Sequence, residues 1–163
     1  MNKDWTNIVI AGLGGQGVIR ASDILAEAAF LSGWDVKKSE IHGMSQRGGS
    51  VSSDIRFGKA IYSPVIPVGD TDYLVVIDKD QVEVNRPRLS ASGILIDPSH
   101  LDGINLENPK TLNTAMLGYL SSFLPSISLD AWNKAMENYF SSALLDINRN
   151  AFTIGRQFRK EVH

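Results

Sequence analysis

The stretch Asn7-Ile8-Val9-Ile10-Ala11-Gly12-Leu13-Gly14-Gly15-Gln16-Gly17 decides how the rest of the chain is read. An apolar run of β character breaks into four glycines within six positions. The residues from Val18 to Ser32 then contain no proline or glycine and are rich in Ala, Leu and Ile, so a helix follows. Gly12, Gly14 and Gly17 satisfy the pattern G-x-G-x-x-G. In such a turn the backbone can approach a ligand closely, and the first helical N–H groups and the helix dipole face an anion. The same glycines would also serve any first βα turn by permitting tight strand–helix packing, and the motif alone leaves both readings open. Gly15 and the carboxamide of Gln16 favour the ligand, since Gln16 would stand near the helix start as a donor.

Working outward, strand one covers about Thr6 to Ala11, helix one about Gln16 to Leu31, and Gly33 ends that helix. Asp35 to Glu40 reads as a short polar strand. Val51 to Phe57 alternates strictly, with Val51, Ser53, Ile55 and Phe57 on one face and Ser52, Asp54 and Arg56 on the other. The turn at Phe57 to Ala60 predicts an antiparallel hairpin between that strand and Ile61 to Ile66, with Pro64 and Pro67 confining the second arm to an edge. Tyr73 to Asp78 and Gly93 to Asp97 read as further buried strands. The linker between them, broken by Pro87, allows one short helix with core contacts at Val82 and Leu89. Helices are expected at about Leu112 to Leu124, Leu129 to Phe140 and Leu145 to Phe158. Strands alternating with helices predict a three-layer α/β fold: a mostly parallel, Rossmann-like open sheet carrying an antiparallel hairpin.

The chain has 163 residues, and no repeat or linker divides residues 1–163, so one domain is expected. It contains no cysteine, which excludes thiolate-ligated clusters, Cys-zinc sites, disulfides and a cysteine nucleophile within it. A net charge of −2 supplies no field for capturing nucleic acid. No apolar run reaches the ~20 residues of a membrane span, and no signal-peptide pattern is seen, so a cytoplasmic protein is expected.

A second loop, His42-Gly43-Met44-Ser45-Gln46-Arg47-Gly48-Gly49-Ser50, brings an imidazole, an amide, a guanidinium and two hydroxyls together among three glycines. Following the second strand, it is expected at the same sheet end as the first glycine loop, where open α/β sheets bind ligands. Arg47 can clamp a carboxylate or phosphate, and His42 can hydrogen-bond or exchange a proton near neutral pH. A solvated surface loop is the plain alternative. Asp78 and Asp97 both end predicted strands, where facing the cleft and capping a turn are equally open. No Ser-His-Asp set, metal cluster or carboxylate pair stands out, so no catalytic residue and no metal ligand is assigned.

Gly12 through Gly17, Lys37 through Val51, Arg56-Phe57-Gly58, Tyr62 through Pro67, Leu112 through Gly118 and Asn148 through Phe152 together resemble the γ-type domain of 2-oxoacid:ferredoxin oxidoreductases. The form of the second loop is most similar to the β subunit of indolepyruvate ferredoxin oxidoreductase. The resemblance covers nearly the whole chain. It implies a non-catalytic subunit of an enzyme that decarboxylates an arylpyruvate oxidatively, passing the acyl group to coenzyme A and electrons to ferredoxin. It also implies that thiamine diphosphate and iron–sulfur clusters sit on a larger partner subunit, within a hetero-oligomer. A binding role then falls to Gly12, Gly14, Gly15, Gln16 and Gly17, and a ligand or interface role to His42, Gln46, Arg47 and Ser50. The connection from Pro98 to Leu112 is shorter than such domains generally have.

Two other readings stand beside this one. A stand-alone Rossmann oxidoreductase would need an acidic residue about 20 positions past the glycines, a place Glu40 almost fills. A coenzyme A or nucleotide-binding module without an enzyme is the other.

Overall fold

The structure is a computed structural model that describes residues 3–43 and 48–162, with side chains as far as Arg159. Five strands, β1 (Trp5–Leu13), β2 (Asp35–His42), β3 (Ser50–Gly58), β4 (Thr71–Val76) and β5 (Leu89–Ile96), form one open sheet in the order β2-β3-β1-β4-β5. β1, β4 and β5 pair in parallel, while β3 runs antiparallel to both β1 and β2. Only β3 therefore opposes the common direction. The helices are α1 (Val18–Leu31), the single-turn α2 (Val82–Asn85), α3 (Leu112–Ser121), α4 (Leu129–Tyr139) and α5 (Ser142–Val162).

Strand alternation sends side chains to opposite faces of this sheet. Ile8 and Ile10 of β1, Ile55 and Phe57 of β3 and Val75 of β4 join the large core under α1, α3, α4 and α5. Within that layer α3 and α5 touch backbone to backbone. A Cβ on Gly118 would lie 2.0 Å from the Phe152 carbonyl oxygen, and one on Gly155 would lie 1.9 Å from that of Ala115. Any side chain there would force the two helices apart.

The second face is covered thinly. Val9, Ala11, Leu74 and Val76 pack with Ile66 from an irregular segment and with Val82 of α2. Leu89 packs against the same cluster, as the sequence predicts for both linker residues. Toward β3 this face turns polar. Asp54, 4% exposed, accepts two 2.7 Å hydrogen bonds from Arg88. Arg56 donates to the Asn7 side chain and to the carbonyls of Ser63 and Val65, and Asp35 accepts from the Ile61 N–H, so side chains rather than a strand ladder hold this segment.

This corrects the expected hairpin. Its arms are β2 and β3, paired from Asp35–Gly58 to His42–Val51, and residues 61–66 form no strand. The reason is that β1 and β2 occupy both edges of β3, leaving no ladder for the following segment, while Pro64 and Pro67 lack the N–H a ladder needs. Helix α1 also starts two residues later than expected, because Gly17, at φ 79°, is left-handed and serves as its cap. Among the described residues, no helix is long and apolar enough to cross a membrane.

Candidate functional site

The two glycine loops meet. β1 and β3 pair to their last residues, Leu13 opposite Ser50, so the turn after β1 and the turn before β3 leave the sheet side by side. There the Gly14 N–H donates to the Gly49 carbonyl at 2.8 Å. A Cβ on Gly14 would stand 3.1 Å from the Gly48 nitrogen, so this glycine favours the close approach of two backbones. Left-handed backbone occurs at Gly15 and Gly17 instead, at φ 90° and 79°. Gly12 makes room for Val18 and for the side chain of Gln16, each 2.9 Å from where its Cβ would be. Gly17 is covered by Asn113, whose Nδ2 donates to the Gly17 carbonyl at 3.2 Å. The packing role left open for these glycines is thus real for Gly12, Gly14 and Gly17, while Gly15 faces open space.

Not every amide of the loop remains available. Leu13 donates to the Gln16 Oε1, Gly14 to Gly49 and Gln16 to the Leu13 carbonyl. Among the described residues, the amides of Gly15, Gly17 and Val18 have no acceptor. They are the donors that a helix N-terminus offers an anion. The first turn of α1 holds no carboxylate but carries Arg20, whose guanidinium lies 5.5 Å from the Phe140 ring centroid.

These groups open onto a cleft of about 630 Å³, within the range of small-molecule sites. Its far wall comes from Lys110 in the segment before α3 and Asn113 in the first turn of α3, and from Phe140 between α4 and α5 and Asn148 of α5. Neither Arg20 nor Lys110 has a carboxylate partner among the described residues. Asp23 also lines the cleft, but Lys38 holds it. Burial works against the charge on Lys38, yet Asp23 and Glu40 together raise its pKa above the ordinary lysine value. The local balance at the cleft mouth is therefore cationic.

Of the predicted site residues, Gly12, Gly14, Gly15, Gln16 and Gly17 gather at this rim. The Gln16 carboxamide is not free at the helix start, because its oxygen accepts from Leu13 and its nitrogen donates to Asp78 at 2.7 Å. Ser50 sits at the base of the second loop and donates to Gln81. His42 is exposed on β2, with Nε2 3.8 Å from Glu40. Gln46 and Arg47 lie outside the described residues. Asp78 and Asp97 resolve as caps of short 3-10 turns, accepting from the Asp80 and Ser99 N–H groups, and His100 completes the second cap.

Arg20, Lys110 and Asn113 were not singled out in the sequence. Arg20 was visible as a cation in the first turn after the glycines. Asn108-Pro109-Lys110-Thr111 carries a readable start signal, with Asn108 accepting from the Lys110 N–H, but only the tertiary fold brings that turn opposite Gly17.

A family model described as pyruvate ferredoxin/flavodoxin oxidoreductase matches residues 7–158. The chain belongs to this family. The indolepyruvate oxidoreductase subunit IorB of Methanothermobacter thermautotrophicus is 40% identical over 101 residues, covering 61% of this chain and 51% of the relative. The chain thus spans about half the length of that relative, and less of a second IorB from Thermococcus kodakarensis. The pyruvate synthase subunit PorC of Methanothermobacter marburgensis is 28% identical and aligns with 91% of this chain and 94% of its own. In three dimensions, 99% of this chain superposes on 32% of the 2-oxoglutarate:ferredoxin oxidoreductase of Magnetococcus marinus, with a TM-score of 0.79 at 19% identity. That protein was solved with 2-oxoglutarate, coenzyme A and succinyl-CoA bound. This likeness confirms the fold of the family member described here.

Proposed function

We propose that this chain is the γ-type subunit of a thiamine diphosphate-dependent 2-oxoacid:ferredoxin oxidoreductase of the arylpyruvate or indolepyruvate type. Its part is to complete the assembly and to receive coenzyme A. The observation that carries this reading is the contact between Gly14 and Gly49, which sets unbonded helix-start amides beside a cationic cleft. The phosphates of coenzyme A would meet the amides of Gly15, Gly17 and Val18, with Arg20 and Lys110 supplying countercharge. Gly12, Gly14 and Gln16 shape that loop. His42 and Ser50 flank the second loop, and contact with ligand or partner is assigned to them together with Gln46 and Arg47.

The chemistry itself lies elsewhere. The chain has no thiolate for an iron–sulfur cluster, and the described residues hold no group of three acidic or histidine side chains for the metal of a bound diphosphate. The lack of cysteine agrees with clusters held elsewhere, and by its family likeness thiamine diphosphate and the clusters are assigned to a larger partner subunit of a cytoplasmic hetero-oligomer, with ferredoxin reached through that complex. The dinucleotide reading gains no support from Glu40, which is tied to Lys38 on a strand separated from β1 by β3.

The test is to co-express the chain with its partner, purify the complex and measure dye reduction dependent on an arylpyruvate and coenzyme A. Activity that requires both subunits is expected. Gly14→Val should abolish it or raise the coenzyme A requirement at least about tenfold, since a β-branched side chain crowds the Gly48 and Gly49 backbone and must push the two loops apart. A complex that keeps its parental coenzyme A requirement with this substitution overturns the assignment of the loop, and tight NADH binding by the chain alone would favour a dinucleotide site.

A further inference from the structure

The glycine loop does not hold its shape alone. The Gln16 side chain folds back so that Oε1 accepts from the Leu13 N–H at 2.7 Å, while Nε2 donates to Asp78 Oδ2 at 2.7 Å. The other oxygen of Asp78 accepts from the Asp80 N–H at 2.9 Å and shapes the turn that follows β4. The Asp78 carbonyl accepts from the Gln81 N–H at 3.0 Å, and Gln81 Oε1 accepts from the Ser50 hydroxyl at 2.8 Å. Ser50 and Gly49 lead back to Gly14 through the Gly14–Gly49 bond. The result is a closed ring of hydrogen bonds running from the first glycine loop through the β4 turn to the second loop and back.

We propose that the Gln16–Asp78 pair is a positioning latch that sets the first glycine loop in its anion-binding shape, and that the same β4 turn fixes the second loop through Gln81 and Ser50. The functional part of this proposal rests on coenzyme A using the cleft. Asp78 and Gln81 do not line that cleft; they act through the backbone they hold.

The chemistry of the pair gives it a direction. An ionised carboxylate only accepts, whereas a carboxamide accepts at oxygen and donates at nitrogen. Gln16→Glu alone sets two carboxylates face to face. Asp78→Asn alone sets two amide nitrogens face to face, if the bonds to Leu13 and Asp80 are kept. Made together, the two substitutions reverse the pair and restore every bond: the new carboxylate accepts from Leu13 and from the new amide at 78, whose oxygen still caps Asp80. A role that depended only on packing volume would respond little to either single change, and the double change would not rescue it.

The experiment measures amide exchange of Leu13 by NMR in the full chain, and the coenzyme A requirement of the purified complex in dye reduction. Each single substitution should speed Leu13 exchange and raise the coenzyme A requirement by about tenfold or more, and the double variant should bring both within about threefold of the parent. Unchanged Leu13 exchange in the single variants, or no recovery in the double, overturns the latch. A coenzyme A requirement that moves with Gly14→Val but not with these variants overturns the positioning role alone. One that moves with neither overturns the coenzyme A reading of the cleft, while Leu13 exchange still reports on the latch. Should a single variant fail to fold, Gln81→Met tests the other arm at an exposed contact. It removes the acceptor for Ser50 and should speed exchange of the Gly43 amide, which donates to the Ser50 carbonyl at 2.6 Å. Unchanged Gly43 exchange would overturn that arm.

Discussion

The two faces of the sheet are built on different physics. One buries Ile8, Ile10, Ile55 and Val75 under four helices, with Trp132, Met116 and Met136 at zero exposure between the layers. The other has one helical turn and an irregular strap, and directional polar contacts replace bulk: Asp54 with Arg88, and Arg56 with two carbonyls of the strap. Burial of apolar surface is non-directional and tolerates repacking, whereas a buried ion pair depends on both partners. The helical face therefore carries the stability, and the thin face fixes the geometry of the strap.

The largest effect is expected where that stability is densest. Trp132→Ala removes a fully buried ring 5.3 Å from Phe152 and should cost about 3–5 kcal/mol by chemical denaturation. A loss below about 1 kcal/mol would mean that the helical layer is not the principal core. On the thin face, Arg88→Met strands the Asp54 carboxylate and should cost about 3 kcal/mol, at the low end for buried pairs because Arg88 keeps some solvent contact. Combining it with Asp54→Leu should recover most of that loss. Without recovery, the face would prove to be packed as tightly as its opposite, and the contrast would collapse. Arg56→Met should cost about 1–3 kcal/mol and open residues 61–67 to limited proteolysis, which sharpens the contrast if cleavage is confined to the strap.

The smallest effect belongs to the turn after β5. Burial raises the pKa of Asp97, but the Ser99 hydroxyl and N–H, which donate to the carboxylate, together with the adjacent His100 ring outweigh it and hold the carboxyl below the usual aspartate value. A depressed folded pKa stabilises the protein above the unfolded value and loses that contribution as pH falls through the folded one. Urea midpoints measured from neutral pH down to about pH 3 should therefore fall less steeply in Asp97→Asn than in the parent. Equal slopes would remove Asp97 from the acid response.

Most of the sheet was legible because burial writes a period into the chain. The β3 alternation put Ile55 and Phe57 on the helical face and Asp54 and Arg56 on the other, as found. Adjacency along the chain favours Ile61 to Ile66 as the hairpin partner, whereas the structure gives β2, because strand propensity carries no mark of an edge already occupied. At the site, the glycine spacing pointed to the turn, but its division of labour was not visible. Gln16 was expected to serve a ligand, yet it binds Leu13 and Asp78, the latter 62 positions away. Lys110 stayed hidden for the same reason: nothing local in Asn108-Pro109-Lys110-Thr111 marks the cleft it borders.

What the residues alone determined is most of the elements, their inward faces, the turn after β1 and the exclusion of thiolate chemistry, because each depends on local backbone preference, periodicity or side-chain type. What only the tertiary structure decided is which strands are neighbours, that the two glycine turns expected at one sheet end touch through the Gly14–Gly49 bond, and which amides remain unbonded there. Those depend on hydrogen bonds and close contacts between positions far apart in the chain, and no local pattern encodes them.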